Sequence, residues 1–167
     1  LGLVHLANHE ENEDDIRDYI GFIEERVQQL DSFINDVLSH SKNLKLAVSV
    51  DEIDLEQVIE KCFSDLSYLP KASTIKKEVK VSGEKFYSDK WRINEIFRNL
   101  ISNAIKYHNP EESHPFVKID ITTDKDQTTI VLKDNGIGME KDTIPKVFEM
   151  FYRATEYSQG SGIGLYI

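Results

Sequence analysis

The chain reads as an α+β protein, with a helical first third followed by an α/β region. Three observations predict this. Ile16, Ile20, Ile23, Val27, Leu30, Ile34, Val37, Ser41 and Leu44 recur in steps of 4 and 3, a heptad pattern sustained for about four repeats. "DKWRINEIFRNLISNAIKYH" carries Ile93, Ile96, Phe97, Leu100, Ile101, Ala104 and Ile105 at helical spacing. "FVKIDITT" and "QTTIVLKDN" alternate apolar and polar residues around a "DKDQ" turn, as the two strands of a hairpin do.

In chain order, "LGLVHLAN" reads as the end of one helix and "HEENEDD" as a turn. The heptad helix then starts among Glu13, Asp14 and Asp15, where acids favour the positive end of the helix dipole. Running from Asp14 to Leu46, it would extend roughly 50 Å. Tyr19, Phe22 and Phe33 flank its stripe, so the apolar face is wider than a two-stranded seam and suits a four-helix bundle. One helical hairpin cannot cover that surface, and a homodimer through residues 14–46 would. The expected units are 1–46, a linker and hinge at about 46–53, and an α/β domain over 54–167. That domain begins with a helix over 54–68 and a strand near 75–81. It ends in a glycine-rich region with a short helix around 143–151.

The chain has 167 residues, 40% of them hydrophobic, and a formal net charge of −10. That balance argues against nucleic acid as a partner, since phosphate-backbone binding needs an excess of Lys and Arg. A small polyanion remains feasible, held by backbone N–H groups, a helix N-terminus or a metal ion. The single cysteine, Cys62, lies on the apolar stripe Leu55, Val58, Ile59, Cys62, Phe63, Leu66 and reads as a core thiol, in keeping with a reducing, cytoplasmic location. No apolar run reaches the ~18 residues of a membrane span. A membrane anchor is expected only in parts of a parent protein outside this sequence.

"KDNGIGME" follows a strand, and Asn-Gly is a strong hairpin signal. A hairpin needs a second strand, and "IGMEKDTIPKVFEMF" neither alternates nor avoids proline. Gly136 and Gly138 would need a third glycine at 141 to make G-x-G-x-x-G, and Lys141 stands there; "GSGIGL" has Leu165 where that pattern wants glycine. The P-loop and EF-hand patterns are absent. Asn99 and Asn103 lie four apart on one face of a helix, an unfavourable place for asparagine. Their amide oxygens could serve a hydrated Mg²⁺ shared with phosphates. Asp134 ends a strand beside glycines, where a carboxylate could accept from an exocyclic amine while the ligand approaches closely.

In this order, "NLISNAIKY", "DNGIGM", "VFEMFYRA" and "GSGIGL" resemble the N box, first glycine box, F box and second glycine box of the sensor histidine kinases of two-component systems. The heptad helix and "NDVLSHSKN" resemble the second helix of that family's dimerisation domain. The resemblance implies a two-layer α/β sandwich of the Bergerat (GHKL) type that binds ATP and Mg²⁺. It implies that Asp134 accepts from the adenine amine and that Gly136 and Gly138 let the base approach. Asn103 would be the Mg²⁺ ligand with Asn99 beside it, and Lys106 and Tyr107 would contact phosphate or ribose. Phe148 and Phe151 would anchor a lid over 141–161, Arg153 would reach the γ-phosphate, and Gly160, Gly162 and Gly164 would cradle phosphates.

The family's reaction is phosphoryl transfer to a histidine, then relay to a response-regulator aspartate. None of the five histidines, His5, His9, His40, His108 and His114, has the context of the acceptor, which is therefore expected upstream of Leu1. His5 and His9, four apart, read as ordinary surface residues rather than a metal pair. The chain also stops just into the helix after the second glycine box. Two other readings compete: a non-catalytic dimerisation module with a vestigial nucleotide site, and another ATPase of the same superfamily, such as a chaperone or topoisomerase.

Overall fold

The computed structural model describes residues 2–10, 12–154 and 161–166, with Ser32 described by its backbone alone. Helix α1 (Gly2–His9) is followed by α2 (Glu13–Lys45). Asn12 caps α2, its side chain accepting from the Asp14 N–H at 3.0 Å. The heptad residues lie along α2 uncovered: Ile20, Val27, Leu30 and Ile34 are all exposed. Among the described residues no helix is long and apolar enough to cross a membrane. The His5 and His9 rings lie 4.2 Å apart between centroids and tilted by 44°, and no group of three potential ligands that could hold a metal occurs among the described residues.

After α2 come β1 (Asp51–Glu52), α3 (Leu55–Asp65), β2 (Lys76–Gly83), β3 (Tyr87–Ser88), α4 (Lys90–Lys106), β4 (Phe116–Thr123) and β5 (Thr128–Asp134). Strand β4 is central, parallel to β2 and antiparallel to β5. The parallel pair requires a crossover, which α4 supplies. The expected hairpin, the strand near 75–81 and both helices are present, with α3 ending three residues sooner than expected at Asp65.

Alternation puts Val117, Ile119, Ile121 and Thr123 of β4 on the inner face, all buried. Register aligns two rows across the sheet, Val79–Ile119–Leu132 and Val81–Ile121–Ile130. Against them pack α3, through Val58, Ile59, Cys62 and Phe63, and α4, through Ile93, Phe97, Ile101 and Ile105. Helices on one face of a mixed sheet make a two-layer sandwich. Cys62 is in this core, where burial pushes its thiol up to about 11, so it is an inert apolar filler rather than a nucleophile. Two residues of the expected α4 stripe leave the core: Ile96 is exposed and Leu100 half-buried. An apolar face that continues beyond the sheet has room for another element.

The segment joining α2 to the sandwich is tied at both ends. Arg92 of α4 donates to the Asn43 side-chain oxygen (2.9 Å), the Asn43 carbonyl (2.9 Å) and the Leu46 carbonyl (3.0 Å). It also pairs with Asp89 at 2.6 Å. Asp89 caps α4 through the Arg92 N–H and accepts from the Ser49 N–H. These two amides, followed by the Arg92 guanidinium, hold its carboxyl below the usual range against the opposing effect of burial. Asp51 and Glu52 then pair with β3, and Ile53 enters the core.

Candidate functional site

Helix α4 carries Asn99, Asn103 and Lys106 in steps of four and three, so the three half-buried side chains form one stripe along it. Tyr107 ends the helix, its N–H donating to the Asn103 carbonyl and its own carbonyl accepting from the Ile137 N–H at 3.0 Å. That last bond fastens the loop after β5 to the C-terminal end of α4. Asp134 is the last residue of β5, and its Oδ1 accepts from the Gly136 N–H at 2.9 Å.

The two glycines of this loop have different reasons to be glycine. A Cβ at Gly136 would lie 2.4 Å from the Tyr107 carbonyl oxygen, so this residue is small because the loop presses on the end of α4. Gly138 has φ of +70° with nothing within 4 Å of a Cβ position, so it combines a left-handed backbone with open space above it. Of the pair, Gly138 is the one with room for a ligand. Asn135, to which sequence reasoning gave no role, accepts from the Phe116 N–H and donates to the His114 carbonyl, tying the loop to the start of β4. Its only sequence signal was the Asn-Gly dipeptide that suggested a hairpin.

The second glycine cluster lies against the same stripe. A Cβ at Gly164 would be 3.1 Å from Asn99 Oδ1. Gly162 has φ of +75°, and its carbonyl accepts from the Phe151 N–H at 3.0 Å. Gly160 lies outside the described residues. Arg153 is exposed on the segment before that gap. The helix expected over 143–151 does not form. A 3-10 turn at Ile144–Lys146 is followed by further i+3 bonds to the N–H groups of Glu149 and Tyr152. Ile144, Phe148 and Phe151 are half or more exposed, so no burial rewards an α-helix there. Phe148 therefore does not anchor this segment in the core. It lines a cavity of about 490 Å³ with Trp91, Ile96, Leu100, Asn99 and Gly164. The cavity borders the expected site at Asn99 and Gly164 and does not extend to Asp134.

Lys106 is half-buried, and desolvation lowers its pKa, opposed by the charge of Asp36 on α2 and reinforced by that of Arg98. Arg98 is raised: burial works against its charge, but Glu95 at 2.9 Å and then Asp36 outweigh it. Asp36 also accepts a hydrogen bond from the Ser161 hydroxyl. Sequence reasoning placed no α2 side chain at this site.

Residues 88–167 match the family described as histidine kinase-, DNA gyrase B-, and HSP90-like ATPase. The chain is 30% identical over 154 residues to the methanogenesis regulatory histidine kinase FilI of Methanothrix harundinacea, matching 92% of this chain and 17% of that protein. It therefore spans about a sixth of that relative's length. Among solved structures, the Acinetobacter baumannii histidine kinase AdeS superposes with a TM-score of 0.70 at 19% identity, covering 98% of this chain and 77% of that one. A complex of the histidine kinase ThkA with the response regulator protein TrrA superposes at 0.67 and 18% identity, covering 90% and 44%. The sandwich thus has the GHKL fold, residues 88–167 belong to the histidine kinase-, DNA gyrase B-, and HSP90-like ATPase family, and the chain is homologous to sensor histidine kinases.

Proposed function

We propose that residues 54–167 bind Mg-ATP and transfer its γ-phosphoryl group to a histidine outside this sequence, for relay to the aspartate of a response regulator. The observation that carries this reading is the convergence of two glycine-bearing segments on α4. Asn99, on the stripe with Asn103 and Lys106, lies against Gly164, while the Asp134–Gly138 loop is bonded to the end of the same helix at Tyr107. This is the arrangement a nucleotide needs, with a carboxylate for the base at one end and amides and a lysine for phosphates along the helix. The alternative of a vestigial site is disfavoured because none of these groups is replaced.

In this reading Asp134 accepts from the adenine amine through the carboxylate that Gly136 steadies, and Gly138 leaves room for the base. Tyr107 borders the ribose. The half-buried amides of Asn99 and Asn103 fit a hydrated Mg²⁺: Asn103 would hold it with Asn99 adjacent, and the ion would neutralise phosphate charge. Lys106 supplies a cation whose charge is costly to keep where it is buried, and an added phosphate would relieve that cost. Arg153 and the Gly160, Gly162 and Gly164 backbone complete the phosphate contacts. An imidazole nitrogen attacks the γ-phosphorus in line as the bond to the bridging oxygen of ADP breaks. Catalysis of this step rests on positioning and charge neutralisation.

Residues 1–46 are inferred to be a dimerisation unit. The exposed apolar residues of α2, Ile20, Val27, Leu30 and Ile34 among them, suit a second copy of the chain, which would complete a four-helix bundle. The response-regulator partner is supported by the ThkA–TrrA complex, whose kinase shares this fold. A longer chain that includes the preceding helix should incorporate label from [γ-³²P]ATP and Mg²⁺ as an acid-labile, alkali-stable phosphoramidate. Label stable to acid, or none, would contradict the proposal.

A further inference from the structure

Four side chains on α2, Phe33, Asp36, His40 and Asn43, are spaced by three, four and three, and so share one face of the helix. Each touches a different part of the sandwich domain. The Phe33 ring stacks on Phe151, with centroids 6.5 Å apart. Asp36 accepts from Ser161. His40 lies 5.5 Å from the Tyr166 ring. Asn43 accepts from Arg92. Three of the four partners flank or belong to the second glycine cluster. This face lies one residue, roughly 100°, round α2 from the heptad stripe offered to a second copy, and its Phe33 flanks that stripe.

Within it, Asp36 is chemically distinct. Its carboxylate takes the hydroxyl of the glycine loop and acts on the charges of Lys106 and Arg98. Of these, the glycine loop and Lys106 are groups the reading above gives to nucleotide phosphate, and Ser161 is held in place by donation from the Ile163 N–H to its oxygen at 3.1 Å. We propose that Asp36 is a built-in anion that occupies part of the phosphate site when α2 is docked, so that α2 and nucleotide phosphate compete for the glycine loop. This rests on the nucleotide-binding reading above.

Two anions cannot both take the Ser161 hydroxyl and lie near Lys106 without repelling each other. Nucleotide binding therefore displaces α2 from the loop, and a signal that moves α2 changes nucleotide affinity by the same coupling. The latch links the helix that dimerises to the site that binds phosphate, without any residue that touches the base.

The test uses the 167-residue chain, with Mg-ADP and adenosine as separate probes in isothermal titration calorimetry. Asp36→Asn keeps an acceptor for Ser161 and removes the charge. It should tighten Mg-ADP binding roughly tenfold and leave adenosine, which has no phosphate, unchanged. Phe33→Ala, which weakens docking without altering charge, should tighten Mg-ADP in the same direction by less. Equal Mg-ADP affinity in wild type and both variants overturns the latch and leaves the nucleotide site standing. Equal tightening for adenosine overturns it as well, because the effect would then be a general opening. Failure of all three proteins to bind either probe overturns the latch and the nucleotide site together.

Discussion

Asp134→Ala is expected to weaken ADP and adenosine binding alike, by roughly 10- to 100-fold, because a hydrogen bond to a charged group is worth about 1.5–3 kcal/mol. The substitution has a second consequence. Asp134 Oδ1 accepts the Gly136 N–H, so alanine also loosens the loop that Ile137 fastens to α4. Asp134→Asn separates the two effects, since its amide oxygen can still accept from Gly136. If the loop bond were the whole role, asparagine would restore affinity. If the carboxylate reads an amine, asparagine remains weak. Asn103→Ala should behave differently: adenosine binding survives, and ADP binds equally in magnesium and in EDTA. Calorimetry with both ligands and both metal conditions resolves these patterns. Unchanged affinities in Asp134→Ala and Asn103→Ala would move the site elsewhere on the protein.

The second large effect is on stability. Phe97 is fully buried at the centre of α4, among the residues that join the helix to the inner face of β4. Truncation to alanine removes most of a ring and leaves a void that close-packed neighbours fill only in part. Phe97→Ala should cost about 3–5 kcal/mol. That is a large share of the 5–15 kcal/mol that holds a typical domain folded. Urea unfolding followed by circular dichroism measures it, as a fall in midpoint with little change in slope. Ile96→Ala, one residue earlier and exposed, should change the midpoint far less. Similar losses at both positions would mean that the inner face of α4 has been assigned to the wrong residues.

That pair also shows where sequence reasoning reached and where it stopped. Helical spacing placed Ile96 and Phe97 on one face together, because spacing defines a stripe and leaves its width open. The sheet beneath α4 is narrower than the stripe, so Ile96 and Leu100 overhang it and line the cavity with Trp91 and Phe148. The strands were legible because Val117, Ile119 and Ile121 of β4 alternate with polar residues and a "DKDQ" turn separates the two runs. The motifs of the candidate site were legible, and the structure brings one glycine-bearing loop against Asn99 and bonds the other to Tyr107 at the end of α4. The reason for Gly136 was not legible. It answers to a backbone carbonyl of Tyr107, from another part of the chain, which no local pattern reveals. The polar face of α2 was hidden for the same reason. Asp36, His40 and Asn43 look like solvent-facing residues between heptad positions until Ser161, Tyr166 and Arg92 are placed against them.

The measurement that tests the central claim most directly is amide NMR of the ¹⁵N-labelled chain titrated with Mg-ADP. The account predicts saturable shifts concentrated at Asn103, Lys106, Tyr107, Asp134 to Gly138 and Gly162 to Gly164. Outer-face residues of β4, such as Lys118 and Asp120, should stay unmoved. Saturable shifts confined to other surfaces, or none at millimolar nucleotide, would contradict it.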